Sequence, residues 1–421
     1  MSKKSAYYAF TLLMLLYVFD YVDRMVIASL FPFLKQDWGL TDTQCGWLAS
    51  IVTLTMTVFA FPISFTVDRW SRKKAIGLMA MIWSFAAIAC AFARNFKQLL
   101  IFRSIIGVGE AAYASGGFAM IAAYFPENKR AMMNGIFSAS VPLGTSIGIV
   151  LGGFIAVKLG WQYAFGLTAI PGLIVALLFF GVKDYKTVDI IKQETAIGRT
   201  DNGINLSLRD ILKVFMRTPS VIYTYLGYAG NAFVTTALIT WLPTYFHRTE
   251  GLPMDKAGIK SSLIFLLAIV GAPLGGIIAD RIRKKQLNAR MTVPAVTSLI
   301  GGIVLFIAFM FFEGKMQYSF FLLCGLVLPM YAAAASAVTQ DVVHPGLRAM
   351  SYSMAIIFMM SLGYSLSPIF VGFISDRYSL LLAFRLLPIF SVFASIAFYL
   401  GSFYYVRDFN RVEKIILEME N

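Results

Sequence analysis

The chain has 421 residues, of which 58% are hydrophobic, 15% are aromatic and only 14% are charged. Its mean hydropathy is +0.73. A water-soluble globular protein of this size needs many more polar residues to cover its surface. The composition therefore excludes a soluble globular protein and indicates an integral membrane protein.

Apolar segments long enough to cross a bilayer recur along the whole chain. A span needs about 20 apolar residues to cross roughly 30 Å of hydrocarbon. The stretches between charged and turn residues predict twelve spans, and nothing is left over for a folded soluble domain. The fold class predicted is an all-α integral membrane protein with twelve transmembrane helices in two six-helix halves. The predicted spans are 7–33, 45–67, 75–93, 98–124, 132–157, 163–183, 220–246, 257–279, 292–312, 318–340, 350–374 and 383–406.

The spans divide into two halves joined by one polar segment. In the joining segment, Ser207 followed by Asp210 and by apolar residues at helical spacing predicts a capped amphipathic helix at the membrane surface. The end of the chain has the same apolar spacing and predicts a second such helix. The predicted parts are an N-terminal half at 1–183, a cytoplasmic linker at 184–218, a C-terminal half at 219–407 and a cytoplasmic tail helix at 408–421.

The distribution of basic residues predicts the topology. Of the 36 Lys and Arg residues, 24 lie in the terminal segments and in the loops after even-numbered spans, and 10 lie in the loops after odd-numbered spans. This bias is the positive-inside rule, so we expect a multi-pass protein of the inner membrane with both termini in the cytoplasm. The net charge of +14 is thus a topology signal, and no nucleic-acid partner is expected.

A charged turn follows the second span of each half. The sequence after span 2 is DRWSRKK, beginning at Asp68, and the sequence after span 8 is DRIRKK, beginning at Asp280, 212 positions later. The recurrence of acid-then-base order at the same depth predicts a duplicated bundle, an architecture that secondary transporters use. The alternative is two ordinary basic loops that obey the positive-inside bias.

Metal and nucleophile chemistry have little support in the sequence. Cys45, Cys90 and Cys324 have no metal-ligand spacing and are expected to be buried apolar residues. His247 and His344 lie near span ends without a partner at catalytic spacing. No cleavable signal peptide is expected, since Lys3 and Lys4 lead directly into a segment too long for one. The prediction is that the chain is not an enzyme and holds no metal.

Ionisable residues inside the spans carry most of the functional argument, because such residues usually face a cavity or a partner. On a helix, Asp20 in span 1 lies over both Asp23 and Arg24. In span 4, Arg103 and Glu110 lie two turns apart on one face. At 1.5 Å per residue, Asp23 and Glu110 come to nearly the same depth. The alternative is a static buried salt-bridge network between spans 1 and 4.

Two motifs carry a family resemblance. The segment Asp68-Arg69-x-x-Arg72-Lys73-Lys74 resembles motif A of the major facilitator superfamily, with Ser64 at the place of the usual glycine. The segment Arg103 to Ala111 resembles the span-4 motif of that superfamily. Together with Tyr21-Val22-Asp23-Arg24 and Trp241-Leu242-Pro243, these segments resemble the bacterial spinster-like branch. Anion:cation symporters for sugar acids share the Asp-Arg and Arg-to-Glu elements and are the closest rival.

The resemblance implies roles for individual residues. Asp23 and Glu110 are expected to be the proton-coupling acids, with Arg24 and Arg103 as counter-ions or anion-binding groups. The antiporter signature of span 5 is not matched, so the direction of coupling stays open. The residues expected in cytoplasmic gating contacts are Asp68, Arg69, Arg72, Asp280 and Arg281.

The C-terminal half lacks comparable charges within its spans. Its polar span residues, mostly tyrosines, threonines and amides, offer directional hydrogen bonds with apolar flanks, which suit an amphiphilic or organic substrate. Interhelical hydrogen bonds are the alternative role for each of them. The residues predicted to line the substrate cavity are Asp20, Tyr113, Tyr228, Asn231, Thr235, Tyr331, Gln340 and Tyr364.

These observations predict a secondary active transporter that works by alternating access. Protons are the expected coupling ion, with no other cofactor, and the protein is expected to be a monomer. The expected substrate is an amphiphilic or organic anion such as a lysophospholipid, and a symporter of small organic acids is the first alternative. A membrane sensor derived from a transporter is the alternative from a different class.

Overall fold

A computed structural model describes residues 3–69, 72–111, 113–182, 214–344 and 347–412. Every regular element in these ranges is helical. We name the twelve long helices α1 to α12, and several of them consist of two segments. In the first six the bounds are Lys3–Met25 for α1, Asp42–Arg69 for α2, Arg72–Cys90 for α3, Phe96–Glu110 and Tyr113–Tyr124 for α4, Glu127–Ser138 and Ser140–Leu159 for α5, and Trp161–Phe179 for α6.

The second six helices contain more breaks in their hydrogen-bond pattern. A single residue, Leu267, separates the two segments of α8, a 3₁₀ turn with Pro329 divides α10, and a π-helical turn at Met359–Tyr364 divides α11. The bounds are Pro219–Glu250 for α7, Met254–Leu266 and Ala268–Arg283 for α8, Ala289–Phe311 for α9, Gly314–Val327 and Tyr331–Asp341 for α10, Arg348–Phe358 and Leu366–Arg377 for α11, and Leu380–Arg411 for α12.

Ten of these helices, within the described ranges, are long and apolar enough to cross a membrane. The two helices outside this group are α1 and α7. Helix α1 carries Asp20, Asp23 and Arg24, and α7 carries a series of tyrosine, threonine and asparagine residues. They complete the predicted twelve. The first helix of each half thus carries several of the candidate site residues predicted from the sequence.

The two predicted surface helices lie mostly outside the described residues. This holds for Ser207 and Asp210 in the linker, and for the tail after Val412. The tail residues that are described, up to Arg411, continue α12 as one helix. The boundaries predicted for the linker and the tail therefore stay predictions.

The chain forms two compact units. The first contains the described residues of Met1–Ile204 together with Ala237–Leu266 and Ser365–Ala383, and the second contains Asn205–Thr236, Leu267–Tyr364 and Phe384–Asn421. The first unit thus includes residues 237–250 of α7, the first segment of α8 and the second segment of α11. We call this end of the helices, marked by the loops at 39–41, 91–95 and 251–253, the outer face, because the charge bias predicts that it lies outside the cytoplasm.

Glycines allow the helices of the first unit to approach closely. A Cβ on Gly144 or Gly148 of α5 would come within 2.5–2.6 Å of the carbonyl oxygens of Val18 and Val22 of α1. Gly107 of α4 meets the backbone of α2 at Val52 in the same way. This packing fixes α1 against α5 and α4 against α2, and so positions the charged residues of α1 and α4.

Candidate functional site

Helix α4 separates an apolar face from a charged one. Ile101 and Ile105 are exposed on the outside of the bundle, as expected for contact with lipid. Arg103 and Glu110, on the opposite face, are 0% and 2% exposed. The helix thus directs both of its charged residues into the interior of the first unit.

Arg24 of α1 lies between two carboxylates. Its Nη2 donates to Oε2 of Glu110 at 2.7 Å, and the same nitrogen lies 3.4 Å from the carboxylate of Asp20. The guanidinium also lies over the ring of Tyr21, 4.5 Å from its centroid. All three charged side chains are buried. The structure thus brings α1 and α4 together through one buried arginine that two acids share.

Arg103 differs from the expectation that it is paired with an acid. Its Nε donates to the carbonyl of Leu48 at 2.6 Å, and its Nη2 donates to the carbonyl of Arg24 at 3.3 Å. Its Nη1 has no partner. Fully buried guanidinium groups need acceptors for all of their N–H groups. Arg103 is therefore a buried cation with free hydrogen-bonding capacity.

Asp23 has the opposite imbalance. It is 1% exposed, and neither of its carboxyl oxygens has a hydrogen-bond partner. The hydroxyl of Thr168 on α6 lies beside it but donates to the carbonyl of Ala164 at 2.8 Å. Asp23 is therefore a buried carboxyl group that lacks the hydrogen bonds which buried polar groups nearly always make.

Tyr113 and the residues around it pack the helices together. The Tyr113 hydroxyl donates to the carbonyl of Leu13 at 2.6 Å, and its ring lies edge-on to Trp83 and tilted against Tyr17. Its side chain is 1% exposed. In this conformation Tyr113 therefore holds α4 to α1 instead of lining a cavity, because its one polar group is already satisfied.

The polar residues predicted in the C-terminal half fall into two groups within the second unit. Tyr228, Asn231 and Tyr331 are buried. The Tyr228 hydroxyl donates to the carbonyl of Ala332 at 2.9 Å, and the Asn231 amide donates to Ser298 at 2.8 Å. Both bonds join neighbouring helices, which is the alternative role that the sequence leaves open for these residues. The residues of the predicted lining that remain half-buried or exposed are Thr235, Tyr364 and Gln340.

The predicted gating residues are described only in part. The side chains of Asp68, Arg69 and Arg72 lie outside the described residues. Arg281 is exposed. Asp280 is largely exposed and pairs with Arg290 at 3.0 Å, on the helix that follows it, rather than with the N-terminus of a neighbouring helix.

Sequence reasoning missed two further charged clusters. In the second unit, Asp341 accepts from Nη1 of Arg290 at 2.5 Å and from the hydroxyl of Tyr405 at 2.7 Å, which ties α10 to α9 and α12. In the first unit, Asp42 and Asp376 lie in a cluster at the outer face. A signal for the second was present, since Asp376 follows Gly372 by four residues, as Asp280 follows Gly276.

An apolar groove of about 340 Å³ runs between α5 and α8 in the first unit. Behind it the two helices are joined by a reciprocal pair of bonds, from Ser262 to the Ser146 carbonyl at 3.0 Å and from Ser146 to the Ser262 carbonyl at 3.3 Å. Apart from those two serines the lining is aliphatic: Leu143, Ile147, Val150, Leu151, Ile259, Leu263 and Leu266.

In the described ranges, no three His, Cys, Asp or Glu side chains lie close enough to hold a metal ion. The three cysteines are buried thiols. In the described residues the α1–α4 cluster contains an arginine between two carboxylates, a second arginine with an unpartnered N–H group, and a carboxyl group without a partner.

Comparisons with known proteins find relatives over most of the chain. The chain is 28% identical over 388 residues to the hexuronate transporter of Bacillus subtilis, covering 90% of each protein. It is 27% identical over 382 residues to human protein spinster homolog 1, covering 85% of this chain and 71% of the relative. The expected resemblance to spinster-like proteins is confirmed.

A solved structure of a bacterial homolog of the human lysosomal transporter spinster, in an inward-facing and unoccupied conformation, has the same fold. It superposes with a TM-score of 0.83 at 22% identity and covers 97% of this chain and 99% of its own. The sequence model of the Major Facilitator Superfamily matches residues 13–368. The chain therefore belongs to the Major Facilitator Superfamily, whose members are membrane transporters and not enzymes.

Proposed function

We propose that the protein is a proton-coupled secondary transporter of an organic anion. The observation that carries this proposal is the charge imbalance in the buried α1–α4 cluster. Its three acids, Asp20, Asp23 and Glu110, outnumber its two arginines, and one acid has no partner. A buried cluster with one surplus acid reaches neutrality by binding one proton, which makes proton binding an intrinsic property of the site.

The exchangeable contact in this cluster is the one between Arg24 and Glu110. Protonation of Glu110 removes the charge that holds Nη2 of Arg24 at 2.7 Å. The guanidinium then pairs with Asp20 alone or with an anionic group of the substrate. Because the two arginines cannot lose their protons, the acids are the members that titrate. Proton binding and anion binding are thereby linked through one side chain.

Two substrate classes fit the site, and one observation favours each. The half-buried Thr235 and Tyr364, which combine a hydrogen-bonding group with apolar flanks, support an amphiphile such as a lysophospholipid. The similarity to a hexuronate transporter over 90% of both chains supports a small sugar acid. The free N–H groups of Arg24 and Arg103 suit the phosphate or carboxylate of either. We take the lysophospholipid first and the sugar acid as the alternative.

The remaining properties follow the sequence argument. We propose that the protein lies in the inner membrane with both termini of the chain in the cytoplasm, since 24 of its 36 basic residues lie on that predicted side. We also propose that it acts as a monomer, because each proposed role is filled by residues of one chain.

The test is uptake by purified protein in proteoliposomes, with and without an inward proton gradient. The probes are a labelled lysophospholipid and glucuronate. Glu110→Gln is the informative variant, and Glu313→Gln, at an exposed site before α10, is the matched control. We expect the gradient to stimulate uptake of one probe, and Glu110→Gln to lose that stimulation while still exchanging substrate.

The outcomes separate the alternatives. Uptake of glucuronate but not of lysophospholipid selects the sugar-acid alternative. Uptake that ignores the gradient in the parent protein contradicts proton coupling. Ligand binding without any uptake supports the sensor instead of the transporter. Unchanged gradient dependence in Glu110→Gln contradicts a role of Glu110 in coupling and makes Asp23 the next acid to test, before Asp20.

A further inference from the structure

At the outer face, the end of α11 carries the residue pattern Gly-x-x-x-Asp-Arg, which also occurs at the predicted cytoplasmic end of α8. Gly372 is followed by three residues and then by Asp376 and Arg377, the same order as Gly276 to Arg281 at the end of α8. The same order of glycine, aspartate and arginine is thus present at the end of α11, within the first unit. The contacts of Asp376 show what it does there.

Asp376 accepts hydrogen bonds from the first turn of α2. Its Oδ1 accepts from the backbone N–H of Asp42 at 2.7 Å, and its Oδ2 accepts from the N–H and the hydroxyl of Thr43 at 2.7 and 2.6 Å. The first N–H groups of a helix have no partner within the helix, and the dipole there is positive. Thr41 and Gln44 form a capping box at the start of α2, with bonds of 3.1 and 2.9 Å. Asp376, 333 residues away from Thr43 in sequence, supplies additional acceptors for the N–H groups of Asp42 and Thr43.

Asp42 forms the second part of the contact. Its Oδ1 accepts from Nη2 of Arg248 at 2.6 Å and from Nζ of Lys35 at 2.5 Å, and its Oδ2 accepts from Nη1 of Arg248 at 2.7 Å and from the hydroxyl of Ser375 at 2.5 Å. The bond with Arg248 is bidentate, which is the strongest geometry for this pair. Asp42 is buried, so each of its oxygens is satisfied by groups from α7, α11 and the short helix Phe31–Trp38.

Close backbone packing places these groups in register. A Cβ on Gly46 of α2 would clash with the carbonyl of Pro368, and a Cβ on Gly372 would clash with the carbonyl of Asp42. The indole of Trp241 on α7 donates to the carbonyl of Pro368 at 3.1 Å. The outer ends of α2, α7 and α11 are thus joined by charges and also by glycine contacts on both sides.

We propose that Asp42, Arg248 and Asp376 form an outer latch, which holds the outer ends of α2, α7 and α11 together and sets how often the outer face opens. Six hydrogen bonds of the latch join α2 to α7 or α11, which alternating access must separate, and a seventh joins Asp42 to Lys35 of the preceding short helix. It controls a conformational equilibrium, so it acts whatever the substrate and the coupling ion are. It lies at the opposite end of the helices from the predicted gating residues Asp68 and Asp280.

The test measures the distance between spin labels on Lys97 of α4 and Lys315 of α10, in the full chain with its three cysteines replaced by alanine. Both labelled residues are exposed and lie at outer-face ends outside the latch. Double electron–electron resonance reports the fraction of molecules with a longer outer distance. The samples contain no substrate and are kept at one pH, so the result does not depend on the proposed transport activity.

Asp42→Asn is expected to raise the ratio of open to closed molecules most, by about tenfold, because it leaves Arg248 and Lys35 without their acceptor. Asp376→Asn is expected to raise it less, and Thr43→Val, which removes only one of the bonds to Asp376, least. Asp255→Asn is the control, since this carboxylate at the outer face bonds only to the N–H of its own neighbour, Lys256.

The graded order is the decisive result. The latch proposal is overturned if Asp42→Asn, Asp376→Asn and Thr43→Val all show the same distance distribution as the parent protein. An equal change in Asp255→Asn overturns it as well, since the effect is then one of surface charge. Thr43→Val keeps every charge and most contacts, so it remains a valid test if an aspartate variant fails to fold.

Discussion

The first unit contains two charged clusters that differ in whether their polar groups have hydrogen-bond partners. In the outer latch, every carboxylate oxygen of Asp42 and Asp376 accepts at least one hydrogen bond. In the α1–α4 cluster, both oxygens of Asp23, one oxygen of Glu110 and one nitrogen of Arg103 have no partner although they are buried. The two clusters are built from the same residue types within one unit.

The difference separates a contact that stabilises one state from a site that changes its state. Buried polar groups are nearly always satisfied, and unsatisfied ones mark places where a proton, water or ligand completes the bonding. A satisfied network rigidifies the structure around it. The latch is therefore complete in the conformation described here. The α1–α4 cluster is incomplete in it, and its unpartnered atoms are those available to the proton and the anionic group that we propose it binds.

The largest expected effect is on stability, from removal of the arginine that two acids share. Arg24→Gln leaves Glu110 and Asp20 buried without their cation, and breaking a buried pair in this way costs about 3–5 kcal/mol. Thermal unfolding of the purified protein in detergent measures this loss. Arg94→Gln, at an exposed arginine before α4, is the control and is expected to change little.

A double substitution sharpens that prediction. In Arg24→Gln combined with Glu110→Gln, one carboxylate and the cation disappear together, so the uncompensated charge is largely removed. The double variant is expected to be more stable than Arg24→Gln alone. If the two losses simply add, the pair is not coupled and the idea of a shared arginine fails.

The next effect tests whether packing or charge aligns the latch. Gly372→Ala places a methyl group against the backbone of Asp42, which must move, at a cost of about 1–3 kcal/mol to the closed outer face. The labels on Lys97 and Lys315 are expected to report more open molecules. Gly135→Ala, where a Cβ meets nothing within 4 Å, is the control and is expected to stabilise its helix slightly. An unchanged distance distribution in Gly372→Ala means that this glycine contact does not affect how often the outer ends of the helices separate.

A smaller effect compares the two faces directly. Asp376 accepts from the first turn of α2 at the outer face. Asp68, at the other end of α2, is one of the expected gating residues, and a carboxylate there can accept from the positive N-terminus of a neighbouring helix when the outer face is open. Each cap contributes about 1 kcal/mol. Asp376→Asn is expected to favour the outward-open state and Asp68→Asn the inward-open state. The double variant is expected to return towards the parent distribution, as measured by outer-face and inner-face distances. Shifts in the same direction contradict opposing caps.

Much of the fold was predictable because a bilayer permits few solutions. Twelve apolar stretches, a bias of basic residues and a repeated charged turn were enough for the architecture, and the family match over residues 13–368 confirms it. The residues of the α1–α4 cluster were predictable too, since charges within spans are rare and helical spacing places Asp20 beside Arg24.

The pairing within the sites was not predictable, because it depends on rotamers and on contacts between distant helices. The glycine and alanine residues next to Glu110 in sequence indicate no partner, yet its carboxylate reaches Arg24, while Asp23, next to an arginine in sequence, has no hydrogen-bond partner. Arg103 seemed to need an acid and is bonded to backbone carbonyls. Asp42 was overlooked because a charge at a span end is normally solvated, and only the fold shows that Arg248 covers it.

The smallest expected effect on stability is the one that tests the state of Asp23. If this carboxyl group is protonated, Asp23→Asn replaces one neutral group by another of the same shape and costs less than about 1 kcal/mol. Asp408→Asn is the matched control, because that buried aspartate accepts from the N–H and hydroxyl of Ser220 at 3.1 and 2.8 Å and loses charged hydrogen bonds. It is expected to cost about 1.5–3 kcal/mol. Thermal unfolding compares the two variants, and uptake assays are expected to show that Asp23→Asn, although stable, has lost its response to a proton gradient. A loss of stability in Asp23→Asn as large as that in Asp408→Asn means that Asp23 is ionised and paired, and the contrast between the two clusters then rests on Arg103 and Glu110 alone.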